Sequence, residues 1–407
     1  MDFVRSQFPG LQNDWTFFDN AGGTQILARV VDRMNDFLFN TNVQTGGSYE
    51  LSHKAAAALQ AGRVAMMQLV NAERAEEIAF AASTTVALQN LARSMASQFE
   101  AGDEIVITVS DHESNIGPWV GLADVGVKIK TWNLAKDALE LSLDDLDSLM
   151  TERTRLVAVT HVSNILGTIN PVGEIAQFVH ERGALICVDS VAFAPHGAID
   201  VTAWDIDFLA LSLYKVFGPH FAVLYGKFDL FAKLDNLYHY FYGKDKVPAK
   251  LEPGNASYEL AYSSTGIVDY LVELAERGGS DGTVRQKIES AFEQIRRHES
   301  RLAERLLKFL RARSDCRIIG CERGDDARRV PTISFVVAGA DPAKITRMVD
   351  PYNIGIRFGD FHARRLIEYL QLHHNNGVVR VSMTHYNTLD EVDALVAALD
   401  EILNNLV

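Results

Sequence analysis

Cysteine is scarce in this chain of 407 residues: it occurs three times, with no Cys-x-x-Cys pair and no visible disulfide framework. Such sparse cysteine is typical of a reducing compartment, so we expect a cytoplasmic protein without a thiolate-bound structural metal. The N-terminus carries Asp2 and Arg5 and has no apolar core region. We therefore expect no secretion signal.

Long hydrophobic runs and positive charge are also lacking. No stretch approaches the about 18 uninterrupted apolar residues that a membrane span requires. The formal net charge is −14, and an acidic chain repels both nucleic-acid phosphates and anionic lipid surfaces. We therefore expect neither partner. A Gly-x-Gly-x-x-Gly motif after the first strand is missing too, which argues against a nicotinamide-binding dehydrogenase.

The chain does contain enough hydrophobic residues, 47%, for large buried cores. From about residue 56 onward, helical stretches alternate with short apolar runs that predict strands, and this alternation favours a mainly parallel α/β sheet covered by helices on both faces. The last two runs are joined by a Gly-Pro turn too short for a helical crossover, so we expect an antiparallel strand at one edge. The runs lie at 77–81, 104–109, 126–131, 155–160, 184–189, 207–212 and 221–225.

A Gly-rich segment at 278–282 separates this region from a different pattern. A long charged amphipathic helix follows, and strand and helix signals then alternate without a parallel-sheet repeat. We therefore predict a large domain over 21–277 and a smaller α+β C-terminal domain over 283–407. Residues 1–20 are expected to pack with the C-terminal domain.

Polar residues follow several predicted strands, where ligands bind in parallel sheets. Ser83, Thr84 and Thr85 open a helix and could bind phosphate, whereas the alternative is a plain helix cap. His112 could stack on a flat ring or move protons, or be a solvated loop residue. Asn164 offers both a donor and an acceptor, or is a turn asparagine.

Two charged residues stand beside apolar runs. Asp189 ends the run 184–189, where an unpaired buried carboxylate would be costly, so either a cationic partner or a helix cap is expected. Lys215 follows Ser212 among apolar neighbours and precedes a Gly-Pro turn. Desolvation would make this amine a nucleophile, whereas the alternative is a lysine that extends to solvent at the sheet edge.

Taken in order, a phosphate loop, an imidazole, an amide, a carboxylate and a lysine are the groups that a pyridoxal cofactor needs. The chain resembles the class V aminotransferases, which have the fold-type I architecture of enzymes that use pyridoxal 5′-phosphate (PLP). It is most similar to their cysteine desulfurase and isopenicillin N epimerase branch. The resemblance runs from 18–23 to 380–388, and its most specific parts are the Asp189 strand, the 212–215 turn and the Arg380 segment.

The resemblance implies PLP as the cofactor and a role for each residue. Lys215 would form the Schiff base, Asp189 would contact the pyridine nitrogen and His112 would stack on the ring. The remaining cofactor contacts implied are Ser83, Thr84, Thr85, Asn164, Ser212, Tyr214 and Asn255.

The resemblance also implies a substrate and a partner. Arg380 would bind the α-carboxylate of an amino acid through its planar fork. The other implied substrate contacts are Asn20, Ala21, Gly22 and Arg357. A homodimer with active sites at the subunit interface is implied as well, with Asn255 near the phosphate of the neighbouring subunit.

The sequence departs from the desulfurases at the residue that carries their chemistry. Those enzymes have a loop cysteine that attacks the substrate sulfur, and here the matching position in 355–364 is His362. Ala192 replaces their glutamine, and Tyr214 replaces the histidine before the lysine. We therefore expect a C–S lyase that acts by β-elimination through an imine and a quinonoid. An aminotransferase, an epimerase or racemase, and a non-catalytic dimeric binding protein remain alternatives.

Overall fold

The computed structural model describes residues 1–324 and 327–405. Residues 325, 326, 406 and 407 of the expected C-terminal domain lie outside this range. The strands are β1 (Thr16–Phe17), β2 (Ile78–Ala81), β3 (Glu104–Thr108), β4 (Lys128–Trp132), β5 (Thr154–Thr160), β6 (Leu185–Asp189), β7 (Phe208–Ser212), β8 (Ala222–Gly226), β9 (Cys316–Ile319), β10 (Thr332–Val337), β11 (Ile354–Gly355), β12 (Arg357–Gly359) and β13 (Val378–Ser382).

Helices occupy much of the remaining chain. Within the described ranges, no helix is both long and apolar enough to cross a membrane. The helices are α1 (Asp2–Ser6), α2 (Ala28–Asn40), α3 (Glu50–Val70), α4 (Thr84–Met95), α5 (Gly117–Val120), α6 (Leu143–Leu149), α7 (Val172–His180), α8 (Phe228–Lys233), α9 (Tyr258–Ser263), α10 (Thr265–Arg277), α11 (Val284–Arg311), α12 (Pro342–Val349), α13 (Arg364–Tyr369) and α14 (Leu389–Asn404).

The large sheet has seven strands in the order β2-β8-β7-β6-β5-β3-β4. Strands β3 to β7 pair in parallel, whereas β8 is antiparallel to both of its neighbours. Each strand corresponds to one predicted apolar run, with ends that differ by at most two residues. The predicted fold class, a mainly parallel seven-stranded sheet with a smaller α+β region after it, is confirmed.

The position of the antiparallel strand was predicted incorrectly. Strand β8 does not form an edge but lies between β7 and β2. The tight turn after β7 folds β8 back beside it, and the Leu213 N–H donates to the Phe221 carbonyl at 2.8 Å. Strand β2, from much earlier in the chain, then pairs with the free side of β8. Such a long-range pairing leaves no local signal in the sequence.

The side chains of the large sheet alternate between two cores, as the pleat of a strand requires. On β6, Ile186 and Val188 belong to one core, and Cys187 belongs to the other, together with Leu88 of α4. Because both faces are buried, polar residues on these strands are confined mostly to the strand ends. The C-terminal ends therefore gather the polar side chains at one rim of the sheet.

The second sheet is antiparallel, in the order β12-β13-β10-β9. Its core contains Phe335 of β10, Leu306 of α11 and Leu399 of α14. The N-terminal segment contacts both cores: Phe18 packs in this second core, whereas Phe8 packs in a core of the large sheet. Strand β1 also pairs in parallel with β11. The N-terminal segment thus connects the two halves of the molecule beside the rim.

Candidate active site

A cavity of about 210 Å³ opens at the C-terminal rim of the large sheet. This is the position where parallel α/β sheets usually bind ligands. The predicted site residues that line it are Ser83, Thr84, Thr85, His112, Asn164, Asp189, Ser212, Tyr214, Lys215 and His362. Residues that the sequence analysis did not predict as contacts also line it: Ser114, Thr160, Val162, Val191 and Ala192.

Lys215 lies in a single helical turn directly after β7 and is 7% exposed. Burial lowers the pKa of its amine to about 8, and the nearby positive charge of Arg380 acts in the same direction. Near neutral pH, about one-tenth of this amine is therefore unprotonated, far more than for an exposed lysine. Only the unprotonated form is a nucleophile.

Two buried carboxyl groups lie at the C-terminal rim of the sheet, at strands β6 and β3, which are separated by β5. Asp189 ends β6, accepts the Val191 N–H at 2.9 Å, and has a pKa raised by burial to about 6. Asp111 follows β3, accepts the Thr160 N–H at 3.1 Å, and has a pKa raised by burial to about 8. The sequence analysis did not identify Asp111 as a buried carboxyl group at this rim. Its position three residues after β3 was the available signal.

The N-terminus of α4 supplies hydroxyl groups and backbone N–H groups at one side of the cavity. Ser83 caps this helix and accepts the Val86 N–H at 3.2 Å. The hydroxyls of Thr84 and Ser212 lie 2.7 Å apart, whereas those of Thr85 and Ser114 lie 2.6 Å apart. A helix N-terminus surrounded by hydroxyl groups suits a phosphate.

Two histidines that line the cavity lie beside each other, with ring centroids 5.4 Å apart. Nδ1 of His112 accepts the Ser114 N–H at 3.1 Å, which places the proton of the neutral ring on Nε2. Burial lowers the pKa of His112 to about 3, with a further contribution from Lys215. The ring is therefore uncharged. His362 is positioned through its carbonyl, which accepts the Glu113 N–H at 2.8 Å.

Arg380 lies on β13 with 1% exposure. Its Nη2 contacts Oδ1 of Asp19 at 3.0 Å, and Nη1 donates to the Asn164 carbonyl at 3.2 Å. The guanidinium carbon lies 3.6 Å from the ring centroid of Phe361. Burial lowers the pKa of Arg380 to about 10, so the group stays charged near neutral pH. Nε has no hydrogen-bond partner within the described residues.

Asn164 lies between the cavity and the 355–364 segment. Its Nδ2 donates to the Phe361 carbonyl at 2.9 Å. Its Oδ1 is buried and has no hydrogen-bond partner in the described part of the chain. The amide thus has an unpaired acceptor oxygen and one N–H that the Phe361 contact does not use.

Other predicted contacts lie beside the cavity or away from it. Asn20 donates through Nδ2 to the Ser382 carbonyl at 2.9 Å, and the Ala21 N–H donates to the Ser382 hydroxyl at 2.8 Å. These bonds hold the N-terminal segment, including Gly22, against β13. Asn255 lines a separate cavity, so its contact with a neighbouring subunit's phosphate stays a prediction.

The cysteines all lie away from the cavity. Cys187 is fully buried within β6, Cys316 begins β9, and Cys321 follows that strand. Among the described residues that line the cavity, none is a cysteine. His362, which the sequence resemblance aligns with the desulfurase cysteine, is among the lining residues.

Comparison with known proteins places the molecule in a family. The family described as "Aminotransferase class-V" matches residues 16–395.

The chain belongs to the class V aminotransferases.

Two of the relatives of this class V aminotransferase have names of different kinds. An "Aminotransferase-like protein" of Gibberella zeae is 40% identical, over 98% of this chain and 98% of the relative. A "Cysteine desulfurase-like protein" of Aspergillus flavus is 32% identical, over 99% of this chain and 90% of the relative. The cysteine desulfurase of Escherichia coli has a solved structure with a TM-score of 0.85 and 27% identity, covering 100% of this chain and 99% of the other.

Enzymes of this family depend on PLP, so this chain is a PLP-dependent enzyme. The residues at the cavity fit that cofactor. A buried amine with a lowered pKa, a buried carboxyl group, an uncharged flat imidazole and a hydroxyl-rich helix N-terminus all face one space. Each matches one part of PLP: the aldehyde, the pyridine nitrogen, the ring face and the phosphate.

Proposed function

We propose that this class V aminotransferase removes the β-substituent of a cysteine-like amino acid by elimination, without a cysteine nucleophile. The proposal rests on the residues that line the cavity. They include His362, and none of the described lining residues is a cysteine. Direct attack on a substrate sulfur requires a thiolate. The name of the Aspergillus flavus relative, a cysteine desulfurase-like protein, supports a sulfur-containing substrate class.

The rim of the sheet would bind the cofactor. PLP, when bound, supplies an aldehyde that captures amines and a ring that accepts electrons. Lys215 would bind it covalently, because its lowered pKa makes the amine nucleophilic near neutral pH. Asp189 would hold a proton at the pyridine nitrogen, and His112 would cover one face of the ring. The N-terminus of α4, opened by Thr84, would bind the phosphate.

The remaining groups would orient the substrate and move protons. Arg380 would hold the α-carboxylate, and Lys215 would take the α-proton once its amine is free. His362 would donate a proton to the departing sulfur. For cysteine, the balanced reaction consumes one water and yields hydrogen sulfide, pyruvate and ammonium. No oxidant or reductant is required.

We extend the proposal to a homodimer with active sites at its interface. Tyr240 and Phe241 are 95% and 67% exposed, and exposed aromatic residues are enriched at protein interfaces. Asn255 is also exposed and lies near Ala82, just before the phosphate-binding residues, in the second cavity. Sedimentation equilibrium should give twice the mass of one chain, and a Tyr240→Ser/Phe241→Ser variant should shift the population towards monomer.

A panel of amino acids tests the reaction directly. The PLP-loaded protein is given cysteine and other β-substituted amino acids, and pyruvate, ammonia, sulfide and alanine are quantified. We expect pyruvate, ammonia and sulfide in equal amounts, and no product from a Lys215→Ala control. A keto acid that keeps the β-substituent would indicate an aminotransferase, and a changed configuration at Cα an epimerase. Absence of a visible cofactor band would favour a binding protein.

A further inference from the structure

The turn that carries His112 is attached to the 355–364 segment through Glu113. The backbone N–H of Glu113 donates to the His362 carbonyl at 2.8 Å. Its carboxylate pairs with Arg365, directly after the segment, with Oε2 3.2 Å from Nε and Oε1 3.3 Å from Nη2. Glu113 therefore contacts the facing chain at two points that are three residues apart.

The backbone conformation at this place requires such contacts. Phe361 and His362 both have positive φ, 51° and 59°. Two consecutive left-handed residues with side chains are unfavourable, so they persist only where surrounding contacts fix them. The Phe361 carbonyl accepts the Asn164 amide at 2.9 Å, and the next carbonyl accepts the Glu113 N–H. Of these two bonds, the one from Glu113 reaches His362 itself.

The same attachment determines where the His362 ring lies. The ring lies beside that of His112 and lines the cavity, although His362 is an exposed residue. Packing fixes an exposed side chain only weakly, so its position depends on where its backbone is held. His112 directly precedes Glu113. Two consecutive residues thus supply one imidazole of the cavity and hold the backbone of the other.

We propose that Glu113 is a positioning residue, which keeps the His362 imidazole at the cavity for proton transfer to the departing group. It acts through its backbone N–H and through its ion pair with Arg365. This role rests on the proposed function, because it takes His362 as the proton donor. It goes beyond that function because Glu113 is not among the described residues that line the cavity.

Two substitutions separate the backbone contact from the ion pair. Glu113→Ala removes the carboxylate and keeps the N–H, whereas Glu113→Pro removes both. Proline suits this position, because Glu113 begins a single 3₁₀ turn and the preceding His112 is extended, with ψ 145°. The control Asp147→Ala breaks an exposed pair of the same kind, with Arg182 at 2.6 Å, between α6 and the end of α7.

Hydrogen exchange of the PLP-loaded protein measures how firmly the segment is held, independently of turnover. In peptides covering 360–367, we expect Glu113→Ala to lower amide protection about 3-fold, the scale of an exposed ion pair. Glu113→Pro should lower it roughly 10-fold, because a hydrogen bond is lost as well. Asp147→Ala should leave these peptides unchanged. Arg365→Ala should match Glu113→Ala, and these two variants keep the proposal testable if the proline variant does not fold.

Steady-state kinetics with cysteine tests whether the position of His362 affects the reaction. Glu113→Pro should lower kcat about 10-fold, because a displaced proton donor no longer reaches the departing group. KM should change little, since this step follows substrate binding. In a His362→Ala background the same substitution should have no further effect, because Glu113 acts through that imidazole.

The outcomes distinguish the role of Glu113 from the proposed function. Native protection in the Glu113 variants, lower protection with native kcat, or a slowing that persists in the His362→Ala background would each overturn the role of Glu113 alone. If His362→Ala turns over cysteine at the native rate, His362 is not the proton donor. That part of the proposed function is then overturned, and the role of Glu113 is overturned with it.

Discussion

The two sides of the cavity differ in how firmly the fold holds them. On the side of the large sheet, Asp189 and Lys215 are 3% and 7% exposed and directly follow or end buried strands. On the opposite side, the 355–364 segment exposes Arg357 and His362. This segment also contains consecutive non-glycine residues with positive φ, 51° at Phe361 and 59° at His362. We therefore expect the sheet side to bind the cofactor and the 355–364 segment to determine which reaction follows.

We expect the largest loss of activity from a substitution on the sheet side of the cavity. Lys215→Ala should abolish the borohydride-reducible yellow form and reduce turnover by more than about 10⁴-fold, because one group both binds the cofactor and moves the proton. The protein should still fold, since a shorter side chain leaves β7 intact. Reduction followed by peptide mapping checks the site of attachment. A reducible imine on another lysine would contradict the assignment.

On the segment side, His362→Ala should slow elimination by roughly 10²–10⁴-fold, the usual contribution of a positioned general acid. Cofactor binding should stay near native, because this residue lies across the cavity from the sheet. Steady-state kinetics and the cofactor spectrum provide the two measurements. The control is His374→Ala, which removes an exposed histidine outside the cavity. Equal rates in the two variants would show that His362 takes no part in the reaction.

The carboxylate contact should show an intermediate effect. Arg380→Lys keeps the charge but loses the planar fork, so substrate binding should weaken by about 1.5–3 kcal/mol, which corresponds to roughly 10–150-fold in Kd. Spectral titration with an amino acid measures the change. An unchanged Kd would show that another residue, such as Arg357, binds the substrate carboxylate instead of Arg380.

The smallest predicted effect concerns pH. The pKa of Lys215 is lowered to about 8, mainly by burial, so the amine gains its reactive neutral form as pH rises through 8. Covalent capture of PLP by the apo-protein should accelerate about tenfold per pH unit below this value and level off above it. Stopped-flow absorbance measures the rate. A rate that still climbs steeply above pH 9 would mean that the lysine behaves as an exposed one.

Local patterns in the sequence predicted which sheet-side residues line the cavity, but not the contacts of the segment side. Strand runs and the polar residues after them are local patterns, so Lys215, Asp189 and His112 were found from short stretches. The contacts of Asp19 with Arg380 and Arg357 join residues more than 330 positions apart, and no local pattern encodes them. The stacking of Phe361 on Arg380 and the interior position of β8 were missed for the same reason. The predicted role of Asn255 requires a second chain.

The central claim, that this site works without a thiol, is tested most directly by a cysteine-free protein. The variant Cys187→Ala/Cys316→Ser/Cys321→Ser is given cysteine, and its products are quantified after circular dichroism has shown that it folds. We predict turnover within about 3-fold of native, because none of these side chains lines the cavity, with pyruvate and ammonia formed in place of alanine. Loss of turnover in the folded variant, or alanine as the stoichiometric product, would contradict the account.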